Sequence, residues 1–425
     1  MNLRSDSAFW SLKNGIGPAS PRLSRDLRCE VAIVGAGVSG ALIADELVRE
    51  GLTDIVIVDK RGAALGSTAA STALLQYEID AHLVDLHAIL GPHNAMLAYL
   101  ACIESVDLLE QLVPGLPTDV EFARRPSLYL ASSSRDVARL EAEYGARRAL
   151  GIDLKLLSQA DLRGRYSINR PAALLSSRAA EVDPVLLARA LLRRAQQGGA
   201  QLFGRVEVQS IEEDAHEVQL RTSDGNTIQA RAAIVCGGHE SMRFLPARLA
   251  RLRTSYALVT EPAAFGETLA TRPLVWETAR PYLYARTTRD NRTMLGGEDT
   301  AFRKSPVRDS LLKKKARRLS RMGTELLGPL PPVDYAWAGV YAETPDSLPY
   351  IGIQRDWRRR VHFALCYGAN GMVFAVQAAN MLSASLQGRS HPLEEVFGFA
   401  RLKSRSRLRA RTAGLRSRIS AWSAR

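Results

Sequence analysis

The chain has 425 residues, 46% of them hydrophobic, enough for two domains or one large composite domain. Its four cysteines (Cys29, Cys102, Cys236, Cys366) show no C-x-x-C spacing, which argues against a zinc site, a redox dithiol or a disulfide framework and fits a reducing, cytoplasmic setting. The net charge of +13 suggests a nucleic-acid binder until it is located: residues 401–425 hold nine Arg or Lys and no acid, leaving +4 for the other 400 residues.

That basic tail, taken as 391–425, is either a solvated end or a contact for an anionic surface or a protein partner. No apolar run reaches the roughly 18 residues of a membrane span. Residues 1–28 are polar and mixed, unlike a signal peptide, and the fold is expected to start after them.

In chain order, residues 30–34 form a short apolar run that ends at Gly35. Residues 39–50 carry a helical pattern closed by Gly51, and residues 55–58 form a second apolar run ending at Asp59. Strand, tight turn, helix and strand in this order predict a βαβ unit with parallel strands. The small-residue stretch G-S-T-A-A-S-T-A starts at Gly66, and helical segments follow to about residue 110. A helix is expected over 184–196, ended by Gly198 and Gly199, then strands over 206–211, 218–222 and 227–230. The strand A-A-I-V-C runs into Gly237 and Gly238. Residues 254–260, 283–286 and 292–296 read as further strands and 310–322 as a basic helix. A strand over 361–365, a glycine turn and a long helix over 372–386 close the pattern.

Gly35, Gly37 and Gly40 make the pattern G-x-G-x-x-G. In this pattern the first glycine makes the turn, the second lets backbone approach a pyrophosphate, and the third lets the helix pack on the strand. The ligand's charge then lies at a helix N-terminus, where free N–H groups point outward. Asp59, at the end of the next strand, is placed to accept hydrogen bonds from a ribose diol. Beyond it, Lys60 and Arg61 precede Gly66, Ser67, Thr68, Ser71 and Thr72. Such a loop suits an extended FAD, whose pyrophosphate and ribityl chain run past the first βαβ unit.

Three more segments line up in order. E-V-D-P at 181–184 precedes a helix, A-A-I-V-C-G-G-H-E-S passes through Gly237, and Trp337-Ala-Gly is followed by T-P-D-S-L-P-Y-I-G over 344–352. Tyr367-Gly-Ala-Asn-Gly-Met372 then makes a glycine turn. Together these motifs resemble the D-amino-acid oxidase superfamily of flavoproteins, which includes glycine oxidase and sarcosine oxidase, from about residue 30 to 388. The resemblance implies an α/β fold. A discontinuous, doubly wound Rossmann-type FAD-binding domain would come from 29–84, 176–244 and 336–390. An α+β substrate domain built on an antiparallel sheet would come from 85–175 and 245–335. Cofactor contacts would fall on Gly35, Gly37, Gly40, Asp59, Lys60, Ser67, Thr68, Thr72, Val206, Gly237, Gly368, Asn370, Gly371 and Met372.

The sequence also departs from these relatives. Where amino-acid oxidising relatives carry an Arg for the substrate carboxylate, this chain has Tyr341. Where sarcosine-oxidase relatives place a Lys after the glycine turn, it has Val373. Where covalent-flavin relatives place a Cys, it has Gly339. Non-covalent FAD is therefore expected, with Arg286 as the candidate carboxylate anchor. Tyr77, Tyr256, Tyr284, Tyr341 and Trp276 are pocket-wall candidates, and Glu78, Glu277 and Glu343 are candidate partners for an ammonium group. No metal site is expected, and His239 reads as a helix-start residue. The implied reaction moves a hydride from the carbon next to nitrogen of a small amine or amino acid to flavin N5, giving an imine. Electrons would pass on to oxygen or a carrier. Two other readings stand beside it: a flavin dehydrogenase of a hydroxyl substrate such as glycerol-3-phosphate, and a non-catalytic flavin-bound scaffold or redox sensor docked through the tail.

Overall fold

A computed structural model describes residues 8–15, 17–245, 249–264, 269–356 and 358–402. The first sheet grows from the expected βαβ unit. Leu27–Val34 pairs in parallel with Ile55–Asp59 on one side and Thr227–Val235 on the other. Gln201–Gly204 and Val361–Leu365 extend these edges in parallel, and Tyr350–Ile353 adds antiparallel. The core of Leu27–Val34 is buried on both faces, as Val31, Ala32 and Ile33 show, which is why it reads as a continuous apolar run. The segments 227–230 and A-A-I-V belong to one strand, Thr227–Val235, which Cys236 follows.

Helix Val38–Arg49 packs against both Pro184–Gln197 and Gly371–Leu386. The V-D-P motif is a helix start: Asp183 caps Pro184–Gln197 by accepting from Val185 N and Leu186 N, each at 3.0 Å, and Pro184 fills the first helical position. A proline costs nothing there, because its missing N–H would have had no partner inside the helix.

The second sheet has nine strands. Arg251–Thr260 pairs antiparallel with both Thr293–Ala301 and Val333–Glu343. Tyr284–Thr287, Leu274–Glu277, Ala123–Leu130 and Ala172–Glu181 follow across it. Helix Ser305–Leu327, longer than the basic stretch that predicts it, covers one face. Ala172–Glu181 and Val333–Glu343 both lie in this sheet, so the expected boundaries at 176 and 336 fall inside strands. Among the described residues no helix is long and apolar enough to cross a membrane.

Both ends of the described chain correct the sequence reading. Residues 8–15 are not outside the fold: helix Phe9–Asn14 buries Phe9 and Trp10. At the other end, the tail expected from 391 is folded as far as 402. Phe399 packs on Tyr350 and Phe363, at 5.4 and 5.9 Å between ring centroids. Arg401 is buried, pairs with Asp346 at 2.9 Å and stacks on Tyr350. Its charge is consumed internally. The rest of the basic stretch, 403–425, lies outside the described residues.

Candidate active site

The glycine turn is built by close approach. A Cβ on Gly40 would lie 1.9 Å from the Gly35 carbonyl oxygen, and one on Gly35, whose φ is +121°, would lie 2.9 Å from the Cys236 backbone. Thr68 reaches the head of the helix, its hydroxyl accepting from Val38 N at 3.0 Å. Asp59 ties two loops together. Its Oδ2 accepts from Ala36 N at 2.9 Å, and its Oδ1 accepts from Arg61 N and Gly62 N at 2.7 and 3.0 Å. Lys60 and Arg61 both turn to Glu240, at 2.6 and 3.0 Å.

The loop over 66–73 is pinned from below by two indoles. Trp337 Nε1 donates to the Ala70 carbonyl at 2.9 Å, and Trp10 Nε1 donates to the Ser71 carbonyl at 2.7 Å. Gly339 lets the strand approach, since a Cβ there would stand 3.2 Å from Ala70 Cβ. The W-x-G motif is thus a clamp on this loop.

Arg286 belongs to the same clamp, which corrects its expected role as a carboxylate anchor. It is 2% exposed. Its guanidinium donates to the carbonyls of Thr72, Ala73, Val182 and Thr287 at 2.7–3.2 Å, and Glu181 lies 3.5 Å away. Burial lowers its pKa. A guanidinium already committed to carbonyls is a structural staple.

One cavity of about 330 Å³, within the range of small-molecule sites, runs past all these elements. Every cofactor residue expected from the sequence lines it except Gly40, which sits behind the turn. At one end lie Asp59, Val206 and Glu240. The glycine turn Gly368–Met372, which opens helix Gly371–Leu386, also lines the cavity. A 16-residue helix aimed at the cavity presents the positive end of its dipole.

The far end is acidic and aromatic. Glu78, Asp80 and Asp299 line it, with Trp276, Tyr282, Tyr284 and Tyr341. Glu78 is 6% exposed. Its Oε1 accepts from Ser127 at 2.8 Å, Arg147 stands 4.0 Å behind, and its Oε2 has no partner. Tyr341 donates to Asp299 Oδ2 at 2.8 Å, and Tyr282 donates to Asp80 Oδ1 at 3.0 Å. Desolvation raises the pKa of all three carboxyls, opposed at Glu78 by Arg147 and at Asp80 by Arg280. It also pushes Tyr284 up to about 12, helped by the negative charge of Asp299. The basic residues lining the cavity (Lys60, Arg61, Arg243) are all at the Glu240 end.

Of the expected pocket tyrosines, the structure brings Tyr284 and Tyr341 to the cavity, with Trp276. Tyr77 and Tyr256 lie outside it. Tyr77 is buried in the core with the Arg147 guanidinium over its ring, and Tyr256 packs in the second sheet with Lys315 over its ring. Glu277 pairs with Arg170 and Glu343 with Arg253, away from the cavity. His239 does line it, but burial pushes its pKa down to about 4. Sequence reasoning misses Asp80, Tyr282 and Asp299. The only trace is Gly296-Gly297, where Cβ atoms would strike the Tyr284 ring and the Tyr282 carbonyl at 2.2 and 2.3 Å.

A glycine-turn sheet, a second loop clamped under the same cavity and a helix dipole aimed into it define a dinucleotide-dependent redox enzyme. The chain belongs to the DAO family of FAD dependent oxidoreductases, which it matches over residues 30–385. It is 22% identical over 396 residues to a Bacillus subtilis (strain 168) protein described as "Putative Rieske 2Fe-2S iron-sulfur protein YhfW", covering 92% of this chain and 74% of that one. It is 25% identical to glycine oxidase of Geobacillus kaustophilus (strain HTA426), covering 82% of this chain and 90% of that protein. With gamma-glutamylputrescine oxidoreductase of Escherichia coli (strain K12) the identity is 21%, over 86% and 85% of the two chains. The crystal structure of the Geobacillus glycine oxidase superposes with a TM-score of 0.73 at 20% identity, over 87% of this chain and 98% of that one. The chain is therefore an FAD-dependent oxidoreductase with the mixed α/β fold of that structure.

Proposed function

We propose that the enzyme oxidises a small amine at the carbon next to its nitrogen, giving an imine, and that it does not clamp a substrate carboxylate. The observation that carries this reading is the far end of the cavity, where three carboxylates meet four aromatic rings and no basic side chain among the described lining residues. FAD would be held by the glycine turn, Thr68, Thr72 and the first turn of helix Gly371–Leu386, and when bound it supplies the hydride acceptor through N5.

The chain's own residues do the rest. Glu78 Oε2, shielded and unpaired, holds the substrate ammonium and takes its proton, so that the nitrogen lone pair can drive loss of hydride. Asn370 fixes the Glu78 main chain by donating to its carbonyl at 3.3 Å. Trp276, Tyr284 and Tyr341 keep water away from the reacting carbon. The hydroxyl-substrate reading loses support, because a phosphate would need cations where the cavity offers acids. FAD is held without a covalent bond in this reading. Burial pushes Cys366 up to about 12 and Cys236 further, so neither cavity thiol is a thiolate, the form that reacts.

Anaerobic titration of the purified holoprotein with amines, amino acids and hydroxy acids tests the reading. Bleaching of the flavin bands by amines is the expected result; bleaching by hydroxy acids alone overturns it. Acid precipitation should release the flavin into the supernatant.

A further inference from the structure

We propose that the substrate is a dication, a short diamine or a polyamine chain, whose remote ammonium is held between Asp80 and Asp299. This rests on the amine reading above. It goes further, because one ammonium on Glu78 would leave Asp299 with no cation and Asp80 with only the charge of Arg280, which lies outside the cavity lining.

Asp80 and Asp299 come from different parts of the chain, the loop after Leu74–Leu75 and the strand Thr293–Ala301. Each holds one tyrosine hydroxyl, from Tyr282 and Tyr341 respectively. The Ser255 hydroxyl also acts on the Asp299 carboxylate, yet Asp299 Oδ1 is shielded from solvent with no partner in hydrogen-bond geometry, as Glu78 Oε2 is, and Glu78 is more than nine-tenths buried. Two unpaired carboxylate oxygens in one cavity wall are costly unless a ligand brings positive charge. Among the described residues no group of three or more His, Cys, Asp or Glu side chains is placed to hold a metal ion, and the aromatic walls beside the carboxylates fit an organic cation.

The nearby guanidiniums are otherwise engaged. Arg280 lies outside the lining, donating to the carbonyls of Glu277, Ala279 and Asp80 and stacking on Tyr282 at 4.7 Å. Arg147 is buried behind Glu78 against Glu143, at 2.7 Å. Trp276 and Tyr284 each lie about 6 Å from Tyr282, with centroids 6.2 and 5.7 Å apart. Such walls suit both methylenes and an ammonium. Glu78 and Asp80 are two residues apart, so their Cα atoms are at most about 7 Å from each other, on the scale of a short diamine.

The test compares kcat/KM of the holoenzyme for 1,4-diaminobutane, n-butylamine and 4-aminobutyrate, which share a chain length and differ in the remote group. The diamine should exceed butylamine by roughly 100-fold, as expected for a desolvated charge pair, and 4-aminobutyrate should be the poorest. In D299N, checked for a normal flavin spectrum, the diamine-to-butylamine ratio should fall at least tenfold; D80N serves if D299N does not fold. Equal rates for diamine and butylamine, or a preference for 4-aminobutyrate, overturn the second cation site while leaving amine oxidation standing. If no amine bleaches the flavin, amine oxidation itself falls. The site is then judged by flavin spectral titration: perturbation by the diamine at tenfold lower concentration than butylamine upholds it, and equal concentrations overturn it.

Discussion

Replacing Arg286 by methionine separates a structural staple from a substrate anchor. The substitution removes hydrogen bonds to four carbonyls, three of which tie the 66–73 loop and the connection before helix Pro184–Gln197 together. Charge-assisted bonds are worth about 1.5–3 kcal/mol each. The full sum is not lost, because removing the guanidinium also ends the cost of burying it, and methionine refills the apolar stem. Glu181 keeps Arg125 at 2.8 Å. The net loss should resemble that for removing one partner of a buried pair, about 3–5 kcal/mol. Urea denaturation of apoprotein and holoprotein, read by tryptophan fluorescence, measures it. The apoprotein is needed because FAD adds its own binding energy to apparent stability. FAD affinity should fall as well, since Thr72 carries one of the freed carbonyls. A loss under about 1 kcal/mol, together with a raised KM confined to carboxylated amines, would refute this assignment and restore the anchor.

G40A should give no yellow protein, because its Cβ would stand 1.9 Å from the Gly35 oxygen; a flavin-loaded variant would show that the turn can open. W337F loses the indole bond to Ala70, worth about 1 kcal/mol, so equilibrium dialysis should show FAD binding weakened about fivefold. His362 is buried, and burial pushes its pKa down to about 4. The unfolded chain, titrating near 6.5, therefore binds the extra proton. His362's contribution to stability is complete above that pH and is lost as pH falls toward 4. At pH 5 the loss is roughly 2 kcal/mol. H362Q should flatten the stability profile between pH 7 and 5 by that amount, and an unchanged slope would assign the pH dependence elsewhere.

What the sequence discloses about the site is the part governed by steric demands. Gly35 and Gly40 must be glycine because backbone lies against them, and at Gly339 a Cβ would crowd Ala70; such positions leave a mark that can be read in one chain. Asp183 followed by Pro184 is legible for the same reason, since a cap and a first-turn proline sit next to each other in sequence. Asp80 and Asp299 leave no such mark. They become a pair only because a loop and a strand converge, and a single acid in the sequence looks the same whether it faces water or a cavity. Arg286 misleads for the opposite reason. An arginine at the end of a strand that borders a cavity looks available for a ligand, yet the unpaired carbonyls of neighbouring loops take it first. Arg401 shows the same at the tail, where a charge that looks solvated is neutralised by Asp346 inside the fold.

The seat of helix Phe9–Asn14 has a consequence for the order in which the molecule is completed. Phe9 stacks on Trp337, with centroids 6.4 Å apart, and Trp10 holds Ser71, while Lys13 and Asn14 reach Asp183. Its partners thus run from Ser71 to Trp337, so this helix is complete long before the strand that bears the last of them. Until the strand bearing Trp337 has emerged, two large aromatic side chains have nowhere to go, the kind of exposure that makes long-range folds slow and prone to aggregate. Because Trp10 and Trp337 grip adjacent carbonyls of one loop, docking of the strand Val333–Glu343 and capture of helix Phe9–Asn14 are coupled through that loop.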